Sequence, residues 1–241
     1  MIRLLLLPAA VTLFLWAALA PGSFAHAPAR ARTSAPTPLM TTTLTTTTAQ
    51  WAVDPARSSL ALQVFKDAAA SALAHDHIVE AREFAGTFEA DPADPRTAKI
   101  DITVQTSSLV VDQPQTRAQY GLPVEVSPGD RKAVEKTMKA EEQLHVSRFR
   151  TIRFISTKVT PAPNGTLQLM GKLTLHGVTR QVSLPVDATL IDDGKSVEGR
   201  GTLRFKTSDF GINPYAAMLG AIRNQDEVLL HIHLVAATTP G

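Results

Sequence analysis

The sequence predicts an all-β fold: a single eight-stranded antiparallel up-and-down barrel with one short helix between strands. Three observations carry this reading. From Trp51 onward, apolar and polar residues alternate with period two in eight separate runs, the pattern of half-buried strands rather than helices. Gly-containing dipeptides separate the consecutive later runs, as tight hairpins require. Between Trp51 and the C-terminus only one stretch, near residues 127–142, has the signals of a helix. Eight antiparallel strands that close on themselves leave no exposed edge, which favours a barrel; two packed sheets are the competing arrangement.

The chain opens with a secretory signal. Arg3 is the positive n-region, Leu4 to Ala20 is apolar and uncharged, and Ser23-Phe24-Ala25 offers small residues at a cleavage site. Residues 1–25 are therefore expected to be removed on export to the periplasm or the exterior. An uncleaved anchor is the alternative, but Pro8 interrupts the run, which is near the minimum of about 17 residues for a span. No later segment is long and apolar enough to span as a helix. Residues 26–50, rich in Thr, Ala and Pro, read as a low-complexity linker that cannot offset its own ordering entropy. The barrel is expected over 51–237, with a tail at 238–241.

The expected strands are 58–66, 77–90, 97–106, 151–160, 166–175, 178–191, 196–208 and 226–236. Ile100, Ile102 and Val104 share one face against Lys99, Asp101, Thr103 and Gln105; Leu167, Leu169, Leu173 and Leu175 do the same against Gln168, Lys172 and Thr174. Asn164-Gly165, His176-Gly177 and Asp193-Gly194 join the later runs and supply the positive φ of two-residue turns. Before the fourth run, Asp112–Val126 carries Pro114, Gly121 and Pro123 and reads as a long loop with one helical turn. Ser127-Pro128-Gly129-Asp130 then reads as an N-cap, a proline at N1 and an acid at N3, opening a helix through Arg131–Glu142 with Val134 and Met138 as a thin apolar face. Such a long loop in an eight-stranded barrel is expected to lid the mouth.

Composition limits the chemistry. With 44% hydrophobic and 19% charged residues, the chain can form a folded core. The absence of cysteine excludes disulfides, thiolate metal sites, iron–sulfur ligation and a cysteine nucleophile. Arg3, Arg30 and Arg32 precede Trp51; without them 21 basic residues face 22 acidic ones, a net −1, so the domain has no electrostatic footprint for nucleic acid. No GxSxG, HExxH, GxxxxGK[ST] or GxGxxG occurs. The Glu141-Glu142 and Asp192-Asp193 pairs read as solvated charges.

The histidines are the one polar constellation. His75-Asp76-His77 and His231-Ile232-His233 are both His-x-His, which on a strand sets two imidazoles on one face. Two such pairs on neighbouring strands offer four nitrogens to zinc or copper. Exposed histidines without a metal are the plainer reading, since His231 and His233 lie on the less apolar face of their strand. The apolar faces suggest a cavity wall including Leu60, Leu62, Ile100, Ile102, Val104, Leu167, Leu169, Leu173, Leu175, Phe205 and Ile232. A one-residue slip in register would turn any of these sets outward, and a solid core is the commoner use of such leucines.

Several stretches resemble the YceI-like lipid-binding family. They are Trp51-Ala52-Val53-Asp54-Pro55-Ala56-Arg57-Ser58-Ser59, Phe84-Ala85-Gly86-Thr87-Phe88 and Phe149-Arg150-Thr151-Ile152-Arg153-Phe154-Ile155-Ser156-Thr157. The most specific are Gly171-Lys172-Leu173-Thr174-Leu175-His176-Gly177-Val178-Thr179-Arg180 and then Ser208-Asp209-Phe210-Gly211-Ile212. The resemblance implies an exported, non-enzymatic barrel, similar to lipocalins, that holds a polyisoprenoid or fatty-acyl lipid in an elongated cavity and requires no cofactor. Where many members have a basic, glycine-containing segment, this chain has Ala74-His75-Asp76-His77-Ile78-Val79. A metal- or cofactor-binding barrel and an enzyme acting on an amphiphile are the two other function classes the residues leave open.

Overall fold

The computed structural model describes residues 48–69, 74–123 and 125–238, all within the compact unit Thr45–Gly241. The expected signal and nearly all of the expected linker lie outside the described residues. Twelve strand segments follow in order: β1 (Ala49–Val53), β2 (Ser59–Lys66), β3 (His77–Ala81), β4 (Phe84–Asp91), β5 (Asp94–Gln105), β6 (Leu109–Val111), β7 (Thr151–Pro161), β8 (Leu167–Leu175), β9 (Val178–Ile191), β10 (Ser196–Lys206), β11 (Ala216–Ala217) and β12 (Ile222–Ala237). Two helices, α1 (Pro114–Gln119) and α2 (Pro128–Lys139), lie between β6 and β7.

Three pairs of these segments are single strands broken in the middle. β1 and β2 follow one another along the same edge of β12, pairing Val53 with Ala236 and Ser59 with His233. β4 and β3 pair with β1 and β2 in turn, and β5 and β6 pair with β4 and β3. The three broken strands and β7, β8, β9, β10 and β12 make eight antiparallel staves, and β1–β12 pairing closes the ring. A closed ring excludes the two-sheet sandwich.

The breaks lie side by side and have local causes. At the first, Asp54-Pro55 turns the chain, with the Ala56 amide donating to Asp54 Oδ1 at 3.0 Å. Proline cannot donate to a ladder. The Ser58 hydroxyl stands in, accepting from the Val235 amide at 2.9 Å and donating to its carbonyl at 3.2 Å. At the others, Ser108 Oγ accepts from the Glu83 amide at 2.9 Å and donates to the Gln105 carbonyl at 2.8 Å. Side-chain hydroxyls thus satisfy backbone groups that would otherwise be orphaned where the wall bends.

Of the three expected two-residue turns, one forms as such and two are longer, the Asp193-Gly194 loop taking in the four residues between Ile191 and Ser196. His176 (φ 52°) and Gly177 (φ 75°) form the expected two-residue turn between Leu175 and Val178. At the next hairpin Asp192, Asp193 and Gly194 are all left-handed. At Asn164-Gly165 only Gly165 has positive φ (82°), and Ala162 donates to Thr166 at 2.8 Å, so this loop is longer than two residues.

α2 starts as expected, with Ser127 Oγ accepting from the Asp130 amide at 3.1 Å. It stops at Lys139, three residues before the expected end. There the chain turns, the Leu144 amide bonds to the Met138 carbonyl at 3.0 Å, and the Leu144 side chain joins Val134 and Met138 against the barrel interior. Burial of Leu144 thus takes precedence over another helical turn.

Candidate functional site

Inside the ring is an elongated cavity of about 910 Å³. Alternation along each strand builds its wall. Leu60 and Leu62 of β2 face it, as do Ile100, Ile102 and Val104 of β5 and Leu167, Leu169, Leu173 and Leu175 of β8. Phe205 of β10 and Ile232 of β12 complete the eleven positions expected from sequence, and all eleven line the cavity. The wall is overwhelmingly hydrocarbon. Solvent-exposed residues line it at both extremities: Pro92 and Leu190 at the end of the β4–β5 and β9–β10 hairpins, His75 and Asp130 at the end that carries the helices.

Interior glycines have two different roles. A Cβ on Gly171 would stand 2.3 Å from Phe154 Cζ and 2.7 Å from the Ile155 carbonyl, so the Phe154 ring occupies the space beside the strand. A Cβ on Gly199 would meet only Val186 Cγ1 at 3.8 Å. Gly199 therefore leaves cavity volume unfilled, where a leucine would take it up.

The helix end is also the more polar end. His75, His77, Asp130, Thr137, Gln143, Thr207, Tyr215, Asn224 and Gln225 line it, against Glu89, Asp91 and Thr189 at the hairpin end. α2 contributes Val134 and Met138 to the wall there, whereas none of the described residues of the loop expected to lid the mouth, 112–126, lines the cavity. Gln143 Nε2 reaches the Asn213 carbonyl at 3.2 Å and ties the segment after α2 to the β10–β12 connection across the ring.

The four candidate histidines do not converge. Leu230, Ile232 and Leu234 of β12 point inward, so alternation turns His231 and His233 outward. His231 lies 4.5 Å from the Tyr120 ring, centroid to centroid, and its Nε2 is 3.3 Å from Gln63 Oε1. Burial lowers the His231 pKa, and Arg204 adds to the effect. His233 Nε2 is 2.7 Å from Glu198 Oε1, and this contact holds the Glu198 carboxyl below the ordinary range. A four-imidazole site is thus corrected: the two pairs lie on opposite faces of the wall.

His75 and His77 do meet, with ring centroids 4.7 Å apart, and their third neighbour, Asp112, was not singled out from the sequence. Its Oδ2 is 2.6 Å from His77 Nδ1; its Oδ1 accepts from Arg117 at 2.7 Å and from the Ile78 amide at 3.0 Å. Arg117 also donates to the Pro123 and Asp76 carbonyls at 2.6 and 2.9 Å. Asp112 and Arg117 are both buried, with side chains 0% and 2% exposed. Burial pushes the Asp112 carboxyl up, but His77, the Ile78 amide and Arg117 outweigh it and hold the pKa below the ordinary range. Asp112 has φ 53°, a region that few non-glycine residues adopt. A position just after a short apolar run and before a proline loop carries no sequence signal of this role.

A family model described as the YceI-like domain matches residues 51–236, from the first barrel strand almost to the end of the last. The chain belongs to the YceI-like family. Among its relatives, a UPF0312 protein of Shewanella baltica is 32% identical over 136 residues, covering 54% of this chain and 61% of that protein. One of Ectopseudomonas mendocina is 31% identical over 137 residues, with the same coverage of each chain. The match thus spans about 61% of the length of these curated relatives. Among solved structures, Burkholderia cenocepacia BcnA is similar with a TM-score of 0.58 at 20% identity, covering 77% of this chain and 99% of BcnA. A polyisoprenoid binding domain from Saccharophagus degradans has a TM-score of 0.52 at 9% identity, covering 78% and 98% of the two chains. These YceI-like barrels share the fold described above.

Proposed function

We propose that this YceI-like barrel is a carrier that encloses one long-chain amphiphile, a polyisoprenoid or a fatty-acyl lipid, without transforming it. The observation that carries the reading is the continuous hydrocarbon-lined cavity of about 910 Å³. At about 30 Å³ per water-sized group, 910 Å³ accommodates roughly 30 non-hydrogen atoms. Burial of a chain of about 20 methylenes contributes roughly 16 kcal/mol at about 0.8 kcal/mol each. Association costs about 4–15 kcal/mol. Long chains are therefore held tightly and short ones are not, without any specific polar contact. The polar lining of the helix end suits a head group, with the tail running toward the hairpin end. The Saccharophagus degradans domain, described as binding polyisoprenoid, supports the same ligand class.

Trp51 provides the test. It lines the cavity, is 3% exposed, and donates from Nε1 to the Gly194 carbonyl at 3.3 Å near the hairpin end. The other tryptophan, Trp16, is in the expected signal, so the processed protein has a single tryptophan. Titrating delipidated protein with isoprenols and fatty acids of increasing length should change Trp51 emission saturably, one ligand per chain, for long chains only. A response that does not saturate, or that is independent of length, contradicts the reading.

Export belongs to the same proposal, supported by Arg3, the uncharged run to Ala20 and Ser23-Phe24-Ala25. The N-terminus of protein recovered from the cell envelope should begin near His26. An intact N-terminus on cytoplasmic protein rejects export.

A further inference from the structure

We propose that His75, His77 and Asp112 form a site for a divalent transition metal, zinc or copper, at the helix-end rim of the cavity. Each residue offers one ligand atom, and the three atoms lie within 4.8 Å of one another. Two metal–nitrogen bonds of about 2.0–2.1 Å at a tetrahedral angle set two imidazole nitrogens roughly 3.4 Å apart. The adjustment required is up to about 1.5 Å, and His75 is at the surface. The two rings are inclined by 56° rather than stacked in parallel, so their nitrogens can converge on one point.

The preorganisation is on the carboxylate. Arg117 and the Ile78 amide hold Asp112 Oδ1, which leaves Oδ2 against His77 Nδ1 as the atom a metal would take. A metal ion entering there replaces the proton shared by Oδ2 and Nδ1, and that proton leaves to solvent. The remaining oxygen keeps its two donors and fixes the carboxylate, as supporting contacts do around metal ligands. The His77–Asp112 contact alone would tie β3 to the segment after β6. The second imidazole, with its ring centroid 4.7 Å from that of His77, adds a third ligand to this contact. Two nitrogens and one oxygen suit zinc or copper; calcium and magnesium need more oxygen ligands than this site has. His75 and His77 both line the cavity, so an open coordination position can face its interior.

The test is calorimetric titration of the metal-free full-length processed protein with zinc chloride and, separately, copper(II) chloride. Wild type should bind one ion per chain. His77→Ala and His75→Ala should each weaken binding at least about 10-fold, and the double variant should abolish it. His231→Ala/His233→Ala should bind as wild type does. Copper bound to wild type should show nitrogen hyperfine structure in its electron paramagnetic resonance spectrum, and the double variant should not. Circular dichroism and thermal midpoints establish that each variant is folded; if one is not, His75→Gln and His77→Gln replace it. No binding by wild type, equal binding by the folded double variant, or loss on removing His231 and His233 overturns the proposal. Chain binding by the cavity is measured separately through Trp51 and does not depend on this result.

Discussion

Replacing Gly199 by leucine should shorten the chain that the barrel accepts while leaving the fold intact. The Gly199 Cβ position is open except for Val186 Cγ1 at 3.8 Å, and the residue lines the cavity. Leucine places about four carbons there, or ~120 Å³ at about 30 Å³ per water-sized group, against the 910 Å³ present. An occupant that fills the cavity must give up about four methylenes. At about 0.8 kcal/mol each this is ~3 kcal/mol. The loss corresponds to roughly 200-fold in affinity. A chain shorter by four or more carbons does not reach the new side chain and should bind unchanged. Glycine in a strand is less favourable than a residue with a side chain, so stability should hold or rise. Trp51 fluorescence titration over a chain-length series, wild type beside Gly199→Leu, reads the effect. Unaltered affinity for cavity-filling chains would refute the reasoning. So would an equal loss at every length, which would mean a distorted wall rather than a shortened cavity.

The second interior glycine should behave in the opposite way. Gly171→Ala places a Cβ 2.3 Å from Phe154 Cζ and 2.7 Å from the Ile155 carbonyl, and should destabilise by about 1–3 kcal/mol in chemical denaturation, where Gly199→Ala should not. A neutral Gly171→Ala would show that Phe154 is free to move away. Arg117→Met removes the cation that faces Asp112 Oδ1 and leaves a buried carboxylate without it; the expected loss is about 3–5 kcal/mol, and wild-type stability in the variant would contradict that role. His231, whose pKa is lowered by burial and then by Arg204, is protonated more readily in the unfolded chain. Its contribution is therefore complete above the unfolded value of about 6.5 and is lost as pH falls from there toward the lower folded value. The thermal midpoint of His231→Gln should decline less than that of wild type between pH 7.5 and 5.5, and parallel profiles would count against the assignment.

The barrel and its wall were legible because both are consequences of period two. Once Leu167, Leu169, Leu173 and Leu175 alternate with polar residues, closure decides only which face is inside, and the apolar face goes there. The strand breaks were not legible. Residues 77–90 read as one run, yet they divide into β3 and β4, because the bend depends on Ser58 and Ser108 hydroxyls bonding backbone groups distant in sequence or on a neighbouring strand. β1 begins at Ala49, inside the stretch that composition assigns to the linker, because its pairing with β4 and β12 supplies order that its own sequence lacks. The polar cluster was half legible. His75 and His77 stand out by spacing, but Asp112 is 35 residues from His77 and meets it only through β3–β6 pairing. The His231–His233 pair has the same spacing and points away, since spacing within a strand fixes a shared face and not which face it is.

Native mass spectrometry of the protein released gently from the cell envelope tests the central claim most directly. The account predicts a population heavier than the processed polypeptide by the mass of one long-chain amphiphile, of up to roughly 30 non-hydrogen atoms, which organic extraction removes and added long-chain lipid restores. A protein that carries only its polypeptide mass, and that takes up no chain of any length after extraction, would contradict it.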